Sequence, residues 1–128
     1  MTYLLDTHTL LWVLNTPEAL PPRVMRIVLD SAATLLVSIA TPWEMAIKVN
    51  CGKLDAADIL ENFEAAMTRG RITVLETAVR QAILSGRLPL HHRDPFDRLL
   101  AAQALDLRIP ILSRDRVFDL YGVQRIWD

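Results

Sequence analysis

The chain alternates two hydrophobic patterns. Short continuous apolar runs occur at Tyr3-Leu4-Leu5, Thr34–Ser38, Ile72–Leu75 and Ile109–Leu112, with a half-apolar run at Val123–Trp127. Such runs, bounded by polar or turn-forming residues, read as buried strands. The stretches between them carry apolar residues at helical spacing. A helix Leu10–Leu14 follows the first strand, capped by Thr7 or Thr9 and broken at Thr16-Pro17. Pro21-Pro22 opens a second, to Leu29, with Val24, Ile27 and Val28 on its apolar side. Thr41-Pro42-Trp43-Glu44 matches a capping box, Thr at the N-cap and Glu three residues on, for a helix closed by Gly52. Asp55 opens a helix to Gly70, and Thr77 caps another to Ser85. Leu88–Arg93 is a loop with two histidines. Asp94-Pro95 then starts a helix to Leu107.

Strand and helix alternate throughout, with no internal repeat, low-complexity segment or linker. The strands lack the polar-apolar alternation of a half-solvated sheet, so both sheet faces should be covered. The expected fold is α/β: a three-layer α/β/α sandwich around a parallel sheet of about five strands, forming one domain over residues 1–128.

In such a sheet, ligands bind at the C-terminal ends of the strands, where strand order reverses. Several acids fall at that edge. Asp6 ends the first strand, Glu44 begins the helix after the second, and Asp115 follows the fourth. Asp94 and Asp97 lie three apart on one helix N-terminus, a helix that delivers the chain into the fourth strand. Each has a local explanation. Asp6, Asp94 and Asp115 suit helix or turn caps, Glu44 suits the capping box, and Asp97 suits the positive end of a helix dipole. Their joint placement at one edge is what favours a site. If the reversal lies between strands one and four, Asp6, Glu44, Asp97 and Asp115 converge, with Asp94 nearby. Carboxylates so crowded repel unless a cation joins them. An all-oxygen donor set suits Mg²⁺ or Mn²⁺, ions that activate water against phosphate esters.

Composition narrows the class. The 128 residues are 52% hydrophobic, enough for a packed core. A net charge of −1 gives no bulk attraction to nucleic acid, but 12 of the 14 basic residues are arginine, the better phosphate ligand. A single cysteine, Cys51, excludes an internal disulfide and suggests a reducing compartment. No signal-type segment or membrane-length apolar run is present, so a cytoplasmic location is expected.

Four segments together resemble the PIN domain, and within it the VapC-type toxins of bacterial toxin–antitoxin pairs. They are MTYLLDTHTLLW from Met1, SIATPWEMAIK from Ser38, HHRDPFDRLLAAQA from His91 and LSRDRVF from Leu112. The resemblance implies a strand order 3-2-1-4-5 and a Mg²⁺- or Mn²⁺-dependent endoribonuclease leaving 5′-phosphate and 3′-hydroxyl ends. It places the family's four acids on Asp6, Glu44, Asp97 and Asp115, with Asp94 as an auxiliary acid. It further implies a homodimer and a small VapB-like antitoxin that blocks the cleft.

Around these acids, His91 and His92 read first as solvated loop residues and His8 as positional. Arg98 and Arg114 could hold phosphate oxygens or neutralise the acids. Trp12, Trp43 and Met45 could line a groove for a partner helix, or simply pack. Two other functions compete. A phosphatase with Asp6 as nucleophile would want a second Asp two residues on, where His8 stands. A non-catalytic RNA- or protein-binding module would use the acids only as caps.

Overall fold

The computed structural model describes residues 1–128. Five strands, β1 (Thr2–Leu5), β2 (Thr34–Ser38), β3 (Ile72–Leu75), β4 (Ile111–Leu112) and β5 (Arg125–Ile126), form one sheet in the order β3-β2-β1-β4-β5. Every pairing is parallel. The chain steps outward from β1 to β3, then returns to the other side of β1 for β4, so the reversal lies between β1 and β4.

Successive strand residues feed opposite faces. Leu4 and Ile111 join one core with Leu100, Ala101, Ala104, Phe118 and Tyr121. Leu5, Leu35, Val37 and Leu112 join a larger one with Leu10, Val24, Met45 and Met67. With apolar neighbours on both faces, the central strand positions favour apolar residues, which is why the strands read as nearly continuous apolar runs.

Seven helices cover the sheet: α1 (Thr7–Asn15), α2 (Pro22–Leu29), α3 (Ala40–Asn50), α4 (Ala57–Glu61), α5 (Phe63–Arg69), α6 (Val79–Arg87) and α7 (Pro95–Leu107). α7 follows the sequence expectation: Asp94 Oδ1 accepts from the N–H groups of Phe96 (2.8 Å) and Asp97 (3.3 Å), with Pro95 at the first position. Four boundaries differ. α1 is capped by Asp6, whose Oδ1 accepts from Thr9 N–H at 2.8 Å, because β1 runs straight into the helix and Thr7 and Thr9 are already helical. α3 starts at Ala40, so Thr41 and Glu44 form no capping box. Ser38 Oγ accepts from Ala40 N–H instead (3.1 Å), and Pro42 is tolerated because first-turn N–H groups have no intrahelical acceptor. The stretch expected as one helix from Asp55 to Gly70 breaks at Asn62, where the backbone leaves helical space, giving α4 and α5. α6 starts after Ala78, not at a Thr77 cap, and Gln81 Oε1 accepts from Ala78 N–H at 3.1 Å. β4 is also shorter than its apolar run. Ile109 N–H closes the end of α7 on Ala104 O (3.1 Å) and Pro110 has no N–H, so the ladder begins at Ile111.

No helix is long and apolar enough to cross a membrane.

Candidate functional site

The reversal point makes the site. β1 and β4 are adjacent, so their C-terminal ends deliver Asp6 and Ser113–Asp115 side by side. Two hydroxyls lock this junction. Thr9 Oγ1 donates to Leu112 O at 2.7 Å. Ser113 Oγ donates to Asp6 Oδ2 and accepts from Asp115 N–H at 3.0 Å, so one serine ties the first acid to the last. Asp115 also caps the 3₁₀ turn Arg116–Tyr121 through Val117 N–H at 3.0 Å.

α3 leaves β2 at the same edge and carries Glu44 inward, 6% exposed. Without a capping box to occupy it, Glu44 Oε1 accepts from Thr7 Oγ1 at 2.6 Å, and Oε2 pairs with Lys48, one helical turn on, at 3.1 Å. α7 points its N-terminus at this edge and brings Asp94 and Asp97. His92, from the preceding loop, lies 2.9 Å from Asp97 Oδ2 through Nε2. The result is a cleft of about 290 Å³ lined by Asp6, Glu44, Asp94, Asp97 and Asp115 together with Thr7, His8, Lys48 and His92. All five acids singled out in the sequence therefore face one space.

Five carboxylates there meet one fixed cation, Lys48. Their charge is held at a cost. Burial raises the Asp6 carboxyl above its ordinary value, against the opposing hydrogen bonds from Ser113 and Thr9. Asp97 is pushed up to about 6 by burial and then by the neighbouring Asp94 charge, with Glu44 adding to the repulsion. Ligand atoms of His92, Asp94 and Asp97 lie within 4.8 Å of one another, compact enough to share one cation. Hard oxygen donors with a single imidazole suit a small divalent ion.

Several surrounding residues differ from their sequence reading. His92 is half-buried and bonded to Asp97, not a solvated loop residue; nothing in local spacing signals this. Arg98 does not reach toward phosphate. It is 8% exposed, and its guanidinium donates to the carbonyls of Ser85, Leu88, Pro89 and His92 at 2.9–3.2 Å and to Tyr121 Oη at 3.3 Å. It clamps the loop that presents His92. Met45 is fully buried core, whereas Trp43 is 63% exposed and packs edge-on against Phe96. Ser113, Thr7 and Lys48 escaped the sequence reading. Lys48 had a signal, its i+4 spacing from Glu44; Ser113 and Thr7 are set only by tertiary contact.

A family model described as "PIN domain" matches residues 3–123. No curated protein sequence matches the chain. Among solved structures, VapBC2 from Rickettsia felis bound to a DNA fragment from their promoter is similar at TM-score 0.71 and 15% identity, covering 100% of both chains. VapBC-1 from nontypeable Haemophilus influenzae is similar at TM-score 0.68 and 22% identity, covering 98% of this chain and 97% of that one. FitAcB from Neisseria gonorrhoeae follows at TM-score 0.61 and 19% identity, covering 97% and 96%.

Proposed function

Since the chain belongs to the PIN domain family, we propose that it is a divalent-metal-dependent endoribonuclease, the toxin of a VapBC-like toxin–antitoxin pair. The observation that carries this reading is the meeting of Asp6, Glu44, Asp94, Asp97 and Asp115 in one cleft with a single fixed counter-charge. Such a cluster is poorly suited to a purely structural role, because caps need no mutual approach.

Asp6, Asp97 and Asp115 are the residues to hold Mg²⁺ or Mn²⁺, with Glu44 and Asp94 acting directly or through water. The bound ion would polarise the phosphate and lower the pKa of a water for in-line attack. The chain's own groups do the positioning. Ser113 and Thr9 fix the Asp6 carboxylate. Thr7 and Lys48 hold Glu44 inward. His92 orients Asp97 through the 2.9 Å contact of its Nε2 with Oδ2. The products expected are 5′-phosphate and 3′-hydroxyl ends.

A covalent phosphatase mechanism through Asp6 is less well supported. The position expected of an acid/base partner, two residues after Asp6, holds exposed His8 instead of a second Asp. For partners, the similarly folded chains come from VapBC and FitAB structures. That supports a small VapB-type antitoxin as partner; the homodimer rests on the family resemblance alone.

The test is cleavage of total RNA with mapped ends, in Mg²⁺, in Mn²⁺ and in EDTA. The expected result is discrete cuts with 5′-phosphates, lost in EDTA and in Asp6→Asn and Asp97→Asn proteins that remain folded. Cleavage that survives EDTA or both substitutions would overturn the mechanism. Absence of cleavage together with unimpaired growth of cells expressing the chain would favour the binding-module reading.

A further inference from the structure

The acidic cleft alone is a poor place for a polyanion, and the geometry points to the means of bringing one there. Two further cavities continue the cleft on one side. The first, about 330 Å³, shares Asp6, His8 and Asp115 with the cleft and adds Trp12, Arg114 and Arg116. The second, about 210 Å³, shares Arg114 and Arg116 with the first and adds Arg125, Trp127 and Asp128. The three cavities thus adjoin through shared walls, and their lining changes from acidic to basic away from the cleft.

The two shared arginines are exposed and form no ion pair. Arg125, by contrast, is already engaged with Asp119 (3.0 Å) and the Ser113 carbonyl (3.3 Å). Arg114 and Arg116 flank Asp115, so their position relative to the acids is fixed by the 3₁₀ turn that Asp115 caps. Trp12 lines the first cavity and Trp127 the second, and the two indoles pack at 5.5 Å between ring centres. Guanidinium groups bound to no protein acid, beside half-buried aromatic rings, match a phosphate backbone with unpaired bases. A duplex keeps its base faces inside the stack and offers nothing to the indoles.

We propose that this Arg114–Arg116–Trp12–Trp127 groove binds a single-stranded segment of the RNA immediately to one side of the scissile phosphate. The arginines take backbone phosphates and the tryptophan pair takes bases. The proposal rests on the ribonuclease reading above and adds the strand's path and the side chains that line it.

The test uses a fluorescein-labelled single-stranded RNA in Mg²⁺, bound to protein carrying Asp97→Asn so that the probe stays intact. Binding is followed by anisotropy across a salt series. Each phosphate contact contributes roughly 0.7 to the salt slope for single strands. Adding Arg114→Ala and Arg116→Ala should lower the slope by about 1.4, which is about 25-fold weaker binding at 0.1 M salt relative to 1 M. Arg23→Ala with Arg26→Ala removes the same charge from a separate cavity that includes Met1, Tyr3 and Asp30 and should change neither quantity. With Trp43→Phe and Trp127→Phe, Trp12 is the only tryptophan left of three, and its fluorescence should be quenched by the single strand but not by a duplex. The groove is overturned if the Arg114/Arg116 protein keeps its Kd and slope while the parent still cuts RNA, an outcome that leaves the nuclease reading standing. It is also overturned if the Arg23/Arg26 pair matters equally. If the folded parent neither binds nor cuts RNA, both readings fall.

Discussion

Asp97→Asn should stabilise the metal-free protein while removing its activity. In the folded chain the Asp97 carboxyl sits at about 6 against an ordinary value of 3.8, because burial and the Asp94 charge both disfavour the anion. Two pKa units correspond to about 3 kcal/mol of destabilisation once the group is ionised in both states. The substitution also weakens the contact with His92 and leaves part of the site solvated, so a gain of about 1–2 kcal/mol is expected. For a chain of this length that is roughly 3–8 °C in Tm. The pH dependence has a definite sign. Between about 4 and 6 the folded state holds the proton more tightly than the unfolded one, so the parent gains stability as pH falls through that window. The advantage of Asp97→Asn is therefore full above pH 6 and gone below about 4. Asp6, raised by burial, adds to the parent's gain in the same direction. Thermal unfolding in EDTA from pH 4 to pH 8 reads this directly. An advantage that is absent at pH 8, or the same at every pH, would refute the claim that the cleft is held together against its own charge.

Mn²⁺ at a hundred times its Kd should stabilise the parent by about 2.7 kcal/mol and leave Asp6→Asn and Asp97→Asn nearly unmoved, as read by calorimetry or Tm. Arg98→Lys should destabilise by about 3 kcal/mol, because one ammonium cannot replace a planar fork shared among five carbonyls and Tyr121; hydrogen exchange should rise selectively across residues 85–92. Phe118→Ala empties the centre of the smaller core, where Phe118 is fully buried, and should cost about 3–5 kcal/mol in urea unfolding without altering metal affinity.

Hydrophobic patterning along the chain was enough to dictate the architecture. Continuous apolar strands separated by helix-period stretches leave few alternatives to a covered parallel sheet, because burying both faces leaves polar residues mainly at strand ends and on edge strands. The resemblance carried by the four segments added the strand order. The start of α7 was legible in the residues themselves, since Asp94-Pro95 sets both a cap and a first-turn backbone. The threonines expected to cap α1, α3 and α6 do not do so. At α1 their hydroxyls bond across the fold, Thr9 to Leu112 and Thr7 to Glu44, whereas Thr41 and Thr77 lie with buried, unpaired hydroxyls and the caps pass to Ser38 and Gln81. Where each hydroxyl goes depends on which elements are adjacent, and that is set only once β4 lies beside β1. The same holds for the site. Asp6, Glu44, Asp97 and Asp115 could be picked out one by one in the chain, yet each had a sufficient local explanation. Only tertiary structure decided that Glu44 is released from capping, that His92 rather than Arg98 enters the cleft, and that five like charges share it. Repulsion between carboxylates depends on distance in space, and distance along the chain carries no record of it.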